Sequence, residues 1–355
     1  MHVSLPSIRR RSGPRNYFGD GHDGDVVIAA NTNIPSTTDG DMVVMHYNSL
    51  TINAGALLTT ANRCRGLIVY VKDDCVINGT LAMTGRGCKA NPADASTSSY
   101  TPVAPSDGHA VPATGITIRR LAVGFTDTDV STDHMYGCGV AAVQAEANQL
   151  PVEGNGIVVS IPRIGGAGAA GASNANGGTA ANAPGGGGAG QNDPNSGQTG
   201  GAGAAATCFS GGSGGGGGDE NSALQGPASP YGGQGGPSSD GGGSGAGNPA
   251  GTSNYSSLCV GEDGTGGLLI LLVGGNLSGS GLIASDGKKG GNACSGVDGA
   301  GGGSGAGAVL TMYAGTNTFT GTIRANGGAS GTPASGAGAG AGGAGAVIGP
   351  LKINA

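Results

Sequence analysis

The hydrophobic pattern of this chain comes in short bursts that share one order. Three segments carry it most clearly: Gly66–Gly87 (GLIVYVKDDCVINGTLAMTGRG), Gly267–Gly290 (GLLILLVGGNLSGSGLIASDGKKG) and Gly307–Gly331 (GAVLTMYAGTNTFTGTIRANGGASG). Each starts with glycine and an apolar run rich in Val, Ile, Leu and Tyr, the residues that strands favour. A polar turn follows at Lys72–Asp74, Gly274–Asn276 or Gly315–Asn317, then a short alternating strand and a glycine-rich exit. The run GLLILLV is apolar at every position, which predicts a strand buried on both faces. Gly156–Ile164 resembles the opening strand of a fourth unit, and Gly345–Ile353 a closing strand. Asp25–Ala30, Asp41–Tyr47 and Ser49–Asn53 predict shorter strands upstream. Asn78–Gly79, Asp286–Gly287 and Asn326–Gly327 are turn dipeptides. Only residues 91–152 break the pattern, with Pro, Ser, Thr and Asp, the apolar Gly115–Val123 and a helix-like Val140–Asn148.

Composition changes this picture through glycine, which supplies 80 of the 355 residues. Ordering a glycine in a regular element costs roughly 0.5–1 kcal/mol relative to alanine. Collagen is excluded because the glycine period drifts and proline is only 17 of 355. Two readings stand. One is a solvated linker. The other is a bundle of extended polyproline-II-like helices that satisfy their amides between neighbours, where only very small residues let the backbones meet. Pinning of the tracts between apolar strands favours the second. The expected fold class is therefore all-β, with short strand repeats, solenoid- or sandwich-like, and glycine-rich tracts packed as polyglycine-II helices. The expected organisation is a basic N-terminal arm over 1–24, a β-rich domain over 25–164 with an inserted loop region at 91–152, a glycine-rich region over 165–266, and strand repeats alternating with glycine tracts over 267–355.

Charge narrows the function classes. Net charge is −6 and charged residues are 11% of the chain, which argues against a broad nucleic-acid-binding surface. The local exception is Arg9, Arg10, Arg11 and Arg15; a solvated arm and a docking peptide are the competing readings. With Tyr17 and Phe18, Arg9–Arg11 form the candidate anchor. No N-terminal stretch has the apolar core of a signal peptide, and Leu268–Val273 is too short to span a bilayer, so folding in a cytoplasm is expected. The seven cysteines are odd in number, widely spaced and without a CxxC, and are read mostly as small buried residues.

Candidate chemistry is sparse. Asp20-Gly-His-Asp-Gly-Asp25 has the look of a calcium loop, but His22 takes an oxygen position and no suitable Glu follows, so a polar turn is expected. Asp127, Asp129, Asp133 and His134 form a denser loop cluster, again weighed against a solvated loop. Glycoside hydrolysis needs two carboxylates on a rigid groove. The only glutamates are Glu146, Glu153, Glu220 and Glu262, mostly in loop-like or glycine-rich sequence, and Trp is absent. No catalytic residue, metal or cofactor is expected. Phe209, Tyr231 and Tyr255 interrupt the glycine pattern and are the candidate receptor-binding residues, since tyrosine offers an apolar face and a hydroxyl at low entropy cost; covering strand ends is their alternative role.

The motifs Asn16–Asp25, Asp39–Val44 and Leu50–Gly87, with the strand–glycine alternation from Gly156 onward, resemble glycine-rich phage tail-fibre and receptor-binding proteins. In style they are similar to the adhesins that tip the long tail fibres of T-even phages. The resemblance implies packed polyglycine helices whose connecting loops contact the host. It implies a virion protein made in the host cytoplasm, a homo-oligomer and specifically a trimer. Its partners would be other virion proteins and a host surface glycan or outer-membrane protein, with no nucleic acid. A capsid or fibre building block without receptor binding is the alternative reading, and a polysaccharide depolymerase a further one.

Overall fold

The computed structural model describes residues 18–38, 43–64, 66–87, 264, 266–292, 302–332 and 340–352. In chain order the strands are β1 (Gly24–Ile28), β2 (Thr32–Ile34), β3 (Val43–Ile52), β4 (Leu57–Thr60), β5 (Leu67–Val71), β6 (Cys75–Ile77), β7 (Thr80–Ala82), β8 (Leu268–Val273), β9 (Leu277–Gly279), β10 (Leu282–Ala284), β11 (Ala308–Tyr313), β12 (Asn317–Phe319), β13 (Thr322–Arg324) and β14 (Val347–Lys352). Every pairing between them is parallel. A nine-stranded sheet runs β12-β9-β6-β3-β5-β8-β11-β14 with β1 beside β3, and a five-stranded sheet runs β13-β10-β7-β4-β2.

The larger sheet has two arms because β3 is ten residues long and serves both. Its first half, Val43–Tyr47, pairs with β5, and its second half, Leu50–Ile52, pairs with β6. The arm β3-β5-β8-β11-β14 is wall 1. The arm β1-β3-β6-β9-β12 is wall 2. The five-stranded sheet is wall 3. The chain passes through the walls in turn, so one pass forms a layer, and its strands lie in register on the next: Leu67 beside Leu269, Leu269 beside Val309, Thr80 beside Leu282, Leu282 beside Thr322.

This corrects the expected fold class. In place of a solenoid- or sandwich-like all-β chain with polyglycine-II helices, the described residues form parallel sheets curling into a nearly closed, barrel-like arrangement. The reason lies in the turns. Two-residue connections such as Asn78–Gly79 rotate the chain into a new wall instead of reversing it into a hairpin, so each strand finds its partner in another layer. The expected strand at Gly156–Ile164 and the glycine tracts over 165–263 lie outside the described residues; the tracts that follow β10 and β13 are described in part. Their described residues continue the layers: Gly287 N–H donates to Asn326 O at 2.8 Å and Gly303 N–H to Gly340 O at 3.0 Å. Where the apolar side chains end, the exit of one layer and the entry of the next also meet, Gly307 N–H donating to Ser285 O at 2.8 Å and Gly328 N–H to Ser304 O at 2.7 Å.

Side-chain alternation sorts the core. Leu67, Val69 and Val71 of β5 face inward with Cys75, Ile77, Leu81, Leu269, Leu271 and Val309, all fully buried. The alternate residues Ile68, Tyr70, Ile270, Leu272, Leu310 and Met312 form a second buried cluster on the outer face of wall 1. Phe18, Ile348 and Leu351 pack against it. Wall 1 is thus buried on both faces, as its unbroken apolar runs require. Asp41–Tyr47 and Ser49–Asn53, expected as two strands, are the single β3 across Asn48. The break is bridged because Asn48 Nδ2 and Ser49 Oγ both donate to Asp25 Oδ1, each at 2.7 Å.

Candidate functional site

Two features of the described residues concentrate polar chemistry. The first is the loop that leads into β1 and lies across the start of β3. Gly19 and Gly21 hold it there with φ of +79° and +77°, in the left-handed region that glycine enters without penalty. A Cβ on Gly19 would sit 2.7 Å from both His46 Nδ1 and Tyr70 Cβ, so only glycine lets the loop lie this close to the wall. Backbone bonds fasten it: Asp23 N–H donates to His46 O at 2.9 Å, and His46 N–H to Asp23 Oδ2 at 2.6 Å.

This seating gathers Asp20, His22 and His46, whose donor atoms all lie within 4.8 Å of one another. His22 Nδ1 is 2.6 Å from Asp20 Oδ1, and His46 Nδ1 is 3.6 Å from the same oxygen. His22 Nε2 is 3.6 Å from Asp23 Oδ1. The three rings lie in series: His46 stacks on Tyr70 with centroids 4.8 Å apart, and the His22 ring is tilted by 31° against His46 at 4.7 Å. The His46 side chain is 14% exposed, against 60% for His22 and 52% for Asp20, so one side chain is set in the wall and two face solvent. The hydrogen bond from the His22 side chain, then that from its backbone N–H, holds the Asp20 carboxyl below its ordinary range. Asn48 and then Ser49 do the same for Asp25. Burial, with the Asp23 carboxylate second, pushes the Tyr47 phenol up to about 12.

The second feature is a shallow groove of about 440 Å³ on the outer face of wall 3. Thr59, Thr80, Arg86, Asp286, Lys288 and Arg324 are among its lining residues. Asp286 is its single carboxylate, and Arg324 Nε donates to Asp286 Oδ2 at 2.9 Å. The other Asp286 oxygen accepts the Asn326 N–H at 2.8 Å. Glycoside hydrolysis uses a pair of carboxylates, and this groove offers one that is already engaged.

Of the residues singled out from sequence, Phe209, Tyr231, Tyr255, Arg9, Arg10, Arg11 and Tyr17 lie outside the described residues, as do the Asp127–His134 cluster and all four glutamates. Phe18 is described and packs on the outer cluster of wall 1. Cys64 and Cys75 are buried free thiols. His46 was missed because it belongs to another strand, and no spacing rule links it to Asp20 and His22. Among the described residues no helix is long and apolar enough to cross a membrane. No family model, curated protein or solved structure matches the chain.

Proposed function

We propose that the chain is a phage virion protein, a tail-fibre or tail-tip adhesin that holds host-binding loops on a stiff scaffold. The observation that carries this reading is the backbone-to-backbone joining of the layers. A Cβ on Gly307 would run into the Gly267 carbonyl, and one on Gly328 into the Lys288 carbonyl. A body cemented in this way yields little, and loops anchored on it lose little further entropy on binding. The groove on wall 3, with one engaged carboxylate, lends no support to depolymerase action, and the reading assigns no catalytic residue. Phe209, Tyr231 and Tyr255 are the proposed contacts with a host glycan or outer-membrane protein; Arg9–Arg11, Tyr17 and Phe18 are the proposed anchor to other virion proteins.

The test is antibody labelling of virions by electron microscopy, together with adsorption of virions carrying Tyr231→Ala and Tyr255→Ala. Label at the tail tip and reduced adsorption with unchanged assembly are expected. Label over the head, or normal adsorption of the double variant, overturns the adhesin reading in favour of a capsid or fibre building block.

A further inference from the structure

We propose that Asp20, His22 and His46 bind one divalent transition-metal ion of the zinc class, which clamps the 18–24 loop to walls 1 and 2. The donor set is two imidazoles and a carboxylate. Calcium and magnesium seek shells made of oxygen, whereas imidazole suits zinc and its neighbours. With metal–ligand bonds of about 2.0–2.2 Å, adjacent ligands of a tetrahedral ion stand roughly 3.3–3.5 Å apart. The His46 Nδ1 to Asp20 Oδ1 distance of 3.6 Å lies just beyond that span. The His22 Nδ1 to Asp20 Oδ1 contact of 2.6 Å is shorter, and both side chains are exposed enough to open it by rotation.

The surroundings have the form of a built site. Stacking on Tyr70 sets the plane of the His46 ring. Asp23 is itself held by the His46 N–H through Oδ2, and its Oδ1 stands 3.6 Å from His22 Nε2. A carboxylate behind the far nitrogen of a ligating histidine orients the ring and raises its basicity. Gly19 removes the Cβ that would otherwise crowd His46 Nδ1. Three protein ligands leave a fourth position for water or for a donor from another molecule. Here the ion joins a loop ahead of β1 to a strand of another layer, so binding adds stability by mass action.

The experiment uses the full, tag-free chain after chelator treatment. It is titrated with zinc chloride by calorimetry, and then with cobalt(II), whose absorption spectrum reports the ligand type. Expected are one ion per chain, a rise in Tm with zinc, and a cobalt spectrum without thiolate charge transfer, which separates this site from the cysteines. Binding should weaken as the solution is acidified, because both imidazoles must be neutral to ligate. His22→Ala and Asp20→Asn alter exposed side chains and should keep the metal-free Tm, yet each should weaken binding at least about tenfold. His46→Gln should do the same; should it fail to fold, the two exposed variants decide the matter. Absence of saturable zinc binding, a thiolate spectrum, or affinity unchanged in His22→Ala and Asp20→Asn overturns the proposal.

Discussion

Asp74, Asn276 and Thr316 occupy the same corner of three successive layers, and each joint between them is one hydrogen bond. Asn276 N–H donates to Asp74 Oδ1 at 2.8 Å, and Thr316 N–H to Asn276 Oδ1 at 2.9 Å. A second corner repeats the device through Thr84, Asp286 and Asn326. The turn dipeptides at Asp286–Gly287 and Asn326–Gly327 were legible as turns. Their role in joining layers, with the Asp286 N–H donating to Thr84 Oγ1 and the Asn326 N–H donating to Asp286 Oδ1, was not, because it exists only once residues separated by 202 or 40 positions lie side by side. The buried cysteines give a prediction at this scale. Burial, with the Asp74 charge second, pushes the Cys75 thiol from an ordinary value of 9.0 up to about 12, and burial also raises Cys64. A raised value means that the thiol's contribution to stability is complete below pH 9 and is lost as pH rises toward 12. Alkylation of the native protein near pH 8, followed by peptide mass mapping, should therefore leave Cys64 and Cys75 unmodified, and both should react once denaturant is added. Prompt modification of Cys75 in the native state would contradict its place in the core.

At the scale of elements, the strands were readable because their cause is local: β-prone apolar runs bounded by glycine and polar turns. The glycine tracts were harder, since one composition serves a flexible linker and a packed solid equally well. The deciding fact is what surrounds each α-carbon. Gly55 has φ of +81° with nothing within 4 Å of a Cβ, so Gly55→Ala meets only the strain of that conformation. That strain is roughly 1–2 kcal/mol. Gly307 is different: a Cβ there would strike the Gly267 carbonyl and Ser285 Oγ. Its own N–H donates to Ser285 O at 2.8 Å and that of Ala308 to Gly267 O at 3.2 Å, so a separation of the layers breaks these bonds as well. Gly307→Ala should lower stability by more than Gly55→Ala, and Gly307→Val should prevent accumulation of soluble protein. Denaturant unfolding of the alanine pair checks the order, and equal losses would mean that the tract yields to a methyl group without strain.

At the scale of the molecule, closure was the part the sequence hid. The order of apolar and polar residues specifies strands and corners, but the curl of two sheets toward a nearly closed enclosure depends on the angle at each corner and on β3 belonging to both arms of one sheet. The candidate metal site also escaped, since Asp20 and His22 meet His46 only where the glycine-bearing loop ahead of β1 seats against β3. The architecture also sets where the protein is firm. A layer is held by the layers on either side, so β5 and β8 in wall 1, with fully buried side chains and a strand on each flank, stand at the centre. β12 and β13 end their walls, carry part-exposed side chains and have a paired neighbour on one side only. Local opening follows such differences in burial and pairing. Amide hydrogen exchange should consequently be slowest in Leu67–Val71 and Leu268–Val273, intermediate in Ala308–Tyr313, and fastest in Asn317–Phe319 and Thr322–Arg324. Protected amides should extend into 303–307, where the glycine backbone is bonded to its neighbours. Uniform protection through all layers would show that the body opens only as a whole, and rapid exchange across Leu268–Val273 would remove the stacked core on which the scaffold reading depends.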